Sequence, residues 1–161
     1  MSLDEALERL LSCVEPQANH ERVPCFDADG RVLAQDLGSP LHVPPQDNSS
    51  MDGYAVRCAD TISDGVELRV TQRIPAGHSG GPVSAGEAAR IFTGAPVPPG
   101  ADAIVMQEDA EEVPSDDGVR VRVKRRPAPG QWIRRAGEDV ARGDVVLRRG
   151  TRLGPAALGL A

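Results

Sequence analysis

Apolar residues recur at helical spacing in one clear place, the start of the chain. Leu3, Ala6, Leu7, Leu10, Leu11 and Val14 line one face. Ser2 and Glu5 stand at the two positions of a capping box, and Pro16 is positioned to end the helix. The stripe calls for an apolar partner elsewhere. Beyond it a period of two takes over. Val66, Leu68, Val70 and Ile74 are separated mostly by polar residues, and residues 88–92 and 103–106 are short apolar runs. Val119, Val121 and Val123 alternate with Arg120, Arg122 and Lys124, so this strand buries one face and wets the other. Asp117-Gly118 supplies a hairpin turn before it, and residues 144–147 read as another strand. The acidic segment 108–117 predicts a solvated loop or hairpin tip. Residues 21–38 are mixed: Val23, Cys25 and Phe26 alternate weakly, and 31–37 can form a short helix or a strand, a helical turn being the favoured reading. Residues 40–45 are expected to be extended, because a residue preceding proline avoids the helical region. Several short strands with turn signals predict a small, closed or strongly twisted antiparallel sheet. Residues 154–161 begin as a helix at Pro155 and stop after about two turns, too few to stand alone. With the unpartnered stripe at the other end, this predicts a piece of a longer protein.

Composition sharpens that picture. The 161 residues allow one domain or two small ones. There are 17 glycines, 14 prolines and only 2% aromatic residues, which favours turns and short strands and leaves the core to Val, Leu, Ala and Ile. A net charge of −6 and the lack of basic runs interleaved with aromatics exclude non-specific nucleic-acid binding as a leading role. All but one of the 18 basic residues are arginine, whose fork suits small oxyanions. Cys13, Cys25 and Cys58 have neither disulfide nor zinc spacing and read as reduced thiols of a cytoplasmic protein. No apolar run has membrane length, so no membrane association is expected. His20, His42 and His78 do not group with the cysteines, and the glycine-rich segment 77–81 lacks the strand-then-helix setting of a dinucleotide fingerprint. It reads as a flexible connector.

The candidate chemistry lies in three segments. The first runs Asp47-Asn48-Ser49-Ser50-Met51-Asp52-Gly53-Tyr54-Ala55-Val56-Arg57, a polar turn entering a strand. Asp52 can offer oxygens to a hard cation or make an Asx turn before Gly53. Asp47, Asn48 and Ser49 can orient it or bond local backbone. The second, residues 91–108, carries Thr93-Gly94 at a strand exit, where a hydroxyl and a free amide can form an oxyanion nest; the other reading is a loop stiffened by Pro96, Pro98 and Pro99. The third is Ile133-Arg134-Arg135-Ala136-Gly137-Glu138-Asp139-Val140. There the arginines can meet a small oxyanion such as phosphate, or Asp139 can simply pair with one of them.

These three segments resemble the molybdopterin molybdenumtransferase family (MoeA, and the E domain of gephyrin), and the similarity runs from Leu3 to Leu160. Gln46 and Ser50 depart from the usual pattern without removing a carboxylate. The resemblance implies an α+β, β-rich fold: an N-terminal helix over 1–19, a small α/β domain from 20–38 and 144–161, and an antiparallel, barrel-like β domain inserted at 39–143. It implies molybdenum cofactor biosynthesis, with molybdenum moved from molybdate into adenylylated molybdopterin, AMP released and Mg2+ involved. Asp52, Thr93 and Asp139 would be catalytic, with Asp52 on the metal. Asp47, Asn48, Ser49, Gly94, Arg134 and Arg135 would bind the pterin substrate or the anion. The family implies a homodimer whose cleft uses a later domain of the other subunit, so this segment alone is expected to be inactive. Molybdopterin adenylyltransferase and molybdoenzymes are the implied partners. The rival function is a gephyrin-like scaffold or interaction module without catalysis; a plain β-rich binding domain is a third.

Overall fold

The computed structural model describes residues 1–15, 19–116 and 118–161. The elements in chain order are α1 Leu3–Ser12, β1 Leu37–Gly38, β2 Asn48–Ser49, β3 Gly53–Val56, β4 Val66–Ile74, β5 Glu87–Ile91, β6 Ala103–Met106, β7 Ala110–Ser115, β8 Gly118–Val123, β9 Ile133–Arg134, β10 Val145–Leu147 and α2 Pro155–Leu160. The protein is mostly β with few helices. Its chain divides into two compact units, Met1–Gly38 with Val145–Ala161, and Ser39–Asp144.

In the first unit, α1 starts on the capping box expected of it. Ser2 Oγ accepts from the Glu5 N–H at 3.2 Å, and Glu5 Oε2 accepts from the Ser2 N–H at 2.7 Å. The helix ends at Ser12, before Pro16, which lies with residues 17 and 18 outside the described residues. None of its residues is buried: Leu3 is 83% and Leu10 69% exposed. Residues 31–37 form no helical turn. Their backbone is taken by the segment 150–153 instead: Leu33 N–H donates to the Thr151 carbonyl, Leu153 N–H to Arg31, and Val32 bridges Arg152. Leu37 and Gly38 then pair antiparallel with β10. A long-range ladder satisfies these groups where a lone turn would leave them to water. The 3-10 turn of this region lies earlier, at Cys25–Asp27.

The second unit holds a six-stranded sheet in the order β6-β3-β5-β4-β8-β7 and a two-stranded pair of β2 and β9. The sheet departs from the expected antiparallel one in a single pairing: β4 and β5 run parallel. The segment joining them carries the chain back along the sheet, and it is not loose. Gln72 accepts from the Gly81 N–H at 2.9 Å and donates to the Gly81 carbonyl at 2.8 Å, which ties the far end of the 77–81 connector to β4. The acidic stretch also differs from expectation. Residues 110–115 form β7, an edge strand on β8, because Glu111 stands opposite Arg122 and bonds it at 3.2 Å while Arg122 also holds Glu67 at 2.8 Å. Opposite charges across a strand pair remove the repulsion that made the stretch read as loop. Asp117, half of the expected hairpin turn, lies outside the described residues.

Both faces of this sheet are covered. Tyr54, Val56, Leu68, Ala103, Val105, Val121 and Val123 form one core, and Ala55, Ile74, Ala89, Ile91 and Ile104 form another. That is why β3 is buried at every position instead of alternating. Val119, at the hairpin end of β8, is 45% exposed and outside the core. No ladder joins the edge strands β6 and β7 among the described residues, so the sheet is not a closed barrel. Its two edges are three residues apart in sequence, joined by the 3-10 turn Gln107–Asp109.

Strand β3 is the tightest point. Gly53 faces Ile91 on one side and Met106 on the other, and a Cβ there would lie 2.0 Å from the Val105 carbonyl oxygen. Since the obstacle is backbone, Gly53→Ala is expected to lower stability by about 1–3 kcal/mol, the usual cost of overpacking. Urea denaturation followed by circular dichroism checks this; an unchanged midpoint would show that the strands have room to part.

Candidate functional site

The three polar segments meet in the second unit. β2 pairs with β9 through Asn48 with Arg134 and Ser49 with Ile133. On its other side the same stretch takes the second segment: Ser49 N–H donates to the Ala95 carbonyl, Gly94 N–H to Ser49, and Val97 N–H to Asp47, all within 3.0 Å. Gly94 has φ +81, a backbone state for which glycine is the ordinary choice. It lets the chain reverse just after Thr93.

The turn before β3 brings Asp52 to that reversal. Asp52 Oδ1 accepts from both the N–H and the hydroxyl of Thr93, each at 2.8 Å. The Asp52 carbonyl accepts from the Gln107 N–H at 3.0 Å. These contacts follow from register. Gly53 opposes Ile91 and Met106, so the residue before it meets the residues just past those two. Bonding to the Thr93 amide, then to its hydroxyl, holds the Asp52 carboxyl below the usual carboxylate range, and the Arg90 charge adds to this. Among the described residues no hydrogen bond reaches Oδ2. Asp52 is thus an ionised, half-buried carboxylate with one oxygen fixed and one open.

The other acidic residues are placed differently. Asp139 takes the Arg134 guanidinium on both oxygens, at 2.6 and 2.7 Å, and this pairing raises the Arg134 pKa. Asp47 accepts from the Ala136 N–H at 2.9 Å and from Arg135 at 2.5 Å; the amide first and the arginine next hold its pKa down. Arg134 and Arg135 therefore each arrive with a carboxylate attached. Ser49 is 1% exposed, and its hydroxyl donates to the Met51 carbonyl at 2.6 Å, shaping the turn that leads to Asp52. Asn48 carries a buried Oδ1 with no hydrogen-bond partner. None of Asp47, Asn48 and Ser49 bonds the Asp52 side chain among the described residues.

An oxyanion nest at Thr93-Gly94 is not available. The amides of Thr93, Gly94 and Ala95 are bound to Asp52, to the Ser49 carbonyl and to the Phe92 carbonyl. The Thr93 hydroxyl serves the carboxylate instead. For a cation, the described residues contain no cluster of three His, Cys, Asp or Glu. A single carboxylate with a free oxygen suits Mg2+ only where a phosphate-bearing ligand completes the shell, the usual way this ion is held.

Arg90 was not singled out in the sequence. Its Nη1 donates to the Gly53 carbonyl at 2.8 Å and its Nη2 to Gln107 Oε1 at 2.9 Å. It also lies 4.6 Å from the Phe92 ring centroid and 5.1 Å from that of Tyr54. Its signal was present: one arginine inside the otherwise apolar run 88–92. Asp102, also unremarked, accepts from the Cys58 N–H at 2.6 Å. Cys58 is buried, and burial with Asp102 beside it pushes the thiol up to about 11, so it is no nucleophile. Cys13, Cys25 and Cys58 are all free thiols. No helix among the described residues is long and apolar enough to cross a membrane.

Known proteins resemble this chain over nearly its whole length. Residues 1–161 match the family model described as MoeA N-terminal region (domain I and II). Molybdopterin molybdenumtransferase 2 of Mycobacterium tuberculosis is 47% identical over 148 residues, covering 86% of this chain and 35% of that protein. Molybdopterin molybdenumtransferase of Haemophilus influenzae is 39% identical over 164 residues, covering 99% and 39%. The crystal structure of a molybdopterin biosynthesis moeA protein from Pyrococcus horikoshii OT3 superposes with a TM-score of 0.86 at 40% identity, over 98% of this chain and 42% of that one. The chain therefore spans about two fifths of the length of these relatives.

The Asp52–Thr93 contact carries a pH signature. Its pKa is depressed in the folded state, so the stabilisation is complete above the unfolded-chain value and fades as pH falls through the folded one. Thr93→Val removes the hydroxyl bond and keeps the amide. The Asp52 carboxyl is then expected to titrate closer to the ordinary range, read by carbon NMR of the side-chain carboxyl. A titration identical to that of the unsubstituted protein would show that the hydroxyl contributes nothing.

Proposed function

The chain belongs to the family of MoeA N-terminal regions, and from that premise we propose that it forms one wall of a molybdenum-inserting site. The reaction is insertion of molybdenum from molybdate into adenylylated molybdopterin, with release of AMP. The observation that carries this reading is Asp52: an ionised carboxylate at a braced turn, fixed by Thr93 through one oxygen and open at the other.

In this reading the chain's own residues act by placement and charge. Asp52 presents a fixed negative oxygen to the cleft. Thr93 holds that carboxylate in one orientation and favours its ionised form. Asp52 would hold Mg2+, whose charge would offset that of the anionic substrates. Arg134 and Asp139, and Arg135 and Asp47, form a second charged rim along β2 and β9; a phosphate or molybdate would engage the arginines in competition with their carboxylates. Gly94 supplies the reversal that brings Thr93 to Asp52, while Asn48 and Ser49 fix the approach. The opposite wall would come from a second subunit, giving a homodimer. Molybdopterin adenylyltransferase would deliver the pterin substrate, molybdoenzymes would receive the product, and the compartment would be the cytoplasm. The same resemblance supports reading the six-stranded sheet as a barrel-like domain inserted into an α+β frame, its first and last edges being three residues apart.

The test is Asp52→Asn in the protein as the cell makes it. Asparagine keeps an acceptor for Thr93, so melting should hold within about 2 °C, a shift that corresponds to under 1 kcal/mol. Molybdenum insertion should fall by about 100-fold or more, in line with loss of a charge needed in the transition state. Full insertion with Asn at position 52 would refute the assignment. The 161-residue chain on its own is expected to insert no molybdenum from molybdate and adenylylated pterin; turnover by it would show that one wall suffices.

A further inference from the structure

The Asp52 turn is bonded by a cation that the proposed mechanism does not use. Arg90 lies on β5 directly opposite Tyr54 of β3. It is half-buried, flanked by two aromatic rings, and bound through both terminal nitrogens. Phe92 has guanidinium groups near its ring from two residues, Arg73 at 4.5 Å and Arg90 at 4.6 Å. Such stacking restricts a guanidinium to one plane.

That plane matters because of what the fork joins. One nitrogen holds the carbonyl of Gly53, the residue directly after Asp52. The other holds the side chain of Gln107, whose backbone N–H holds the Asp52 carbonyl. The Asp52 turn is therefore gripped at its exit and, through Gln107, on its flank. We propose that Arg90 is a positioning residue: its fork locks the Asp52 turn between the end of β5 and the Gln107–Asp109 turn. This deepens the proposed function, on which it rests, by naming the group that sets the geometry of the Asp52 oxygen left open.

Thr93 donates to this carboxylate, and the Arg90 fork is committed to the turn on either side of it. Glu112 is engaged by the Tyr54 hydroxyl at 2.6 Å, and Glu108 receives the Gln107 side chain at 3.4 Å. Lysine in its place would keep a charge but could not span Gly53 and Gln107 in one plane.

The experiment compares Arg90→Met, Arg90→Lys and Gln107→Ala by the NMR chemical shifts of the Thr93 and Gln107 amides. Arg90→Met and Arg90→Lys should each displace both amides, because neither side chain can hold Gly53 and Gln107 together. A purely structural Arg90 would lower the melting temperature and leave both signals at their unsubstituted values, and that result overturns the proposal. Should Arg90→Met not fold, Gln107→Ala decides: it frees one arm of the fork without touching the core, and an unmoved Thr93 amide refutes the grip. In the protein as the cell makes it, kcat for molybdenum insertion should fall about 100-fold in Arg90→Met, as for a small misplacement of a reacting group, with KM changed less. The NMR readouts involve no molybdenum. If they move while Asp52→Asn still inserts the metal, the positioning role stands and the functional reading falls.

Discussion

Everything at this site depends on how closely β3 is held between β5 and β6. A single glycine makes that possible, since Gly53 leaves room for the Val105 carbonyl where any side chain would collide. The register around it does the rest. With Gly53 opposite both Ile91 and Met106, the residue before it must lie near the exits of both neighbours. That is where Thr93 and Gln107 are. The polar turn is a consequence of strand pairing and inherits its rigidity from strands buried on both faces.

Much of this was readable along the chain, for a physical reason. The capping box of α1 and the alternation in β8 are local signals, and each appears where the spacing puts it. What could not be read were features set by distant partners. Residues 31–37 have no strong pattern of their own and bond across to the distant segments 150–153 and β10. The acidic stretch became β7 only because Arg122 faces Glu111 across the ladder. The parallel pairing of β4 with β5 leaves no mark in either strand's own sequence. At the site, the polar residues of the three segments were visible as a group, but their division of labour was not. Asp52, Asp47 and Asp139 look alike in sequence and differ entirely in what they hold.

That difference decides which carboxylate can do chemistry. Asp139 and Asp47 are each met by an arginine, so their charge is largely cancelled before any ligand arrives. Such exposed pairs add little to stability, but they leave a nearly neutral rim. Asp52 is bonded by an amide and a hydroxyl, both uncharged donors. These donors stabilise the anion without neutralising it. The field at Asp52 therefore remains negative and directed outward from its free oxygen.

A fixed charge of this kind has a cost that the surrounding residues must meet. A carboxylate on a flexible turn would be free to swing onto a cation such as Arg90 and form one more closed pair. Two things oppose it. Both terminal nitrogens of Arg90 bond the Gly53 carbonyl and Gln107, which holds the guanidinium to the strand and the neighbouring turn. Thr93 holds the carboxylate by two bonds to the same oxygen, so rotating away would break both. The second oxygen of Asp52 stays open because Thr93 fixes the first and the Arg90 fork is held on Gly53 and Gln107.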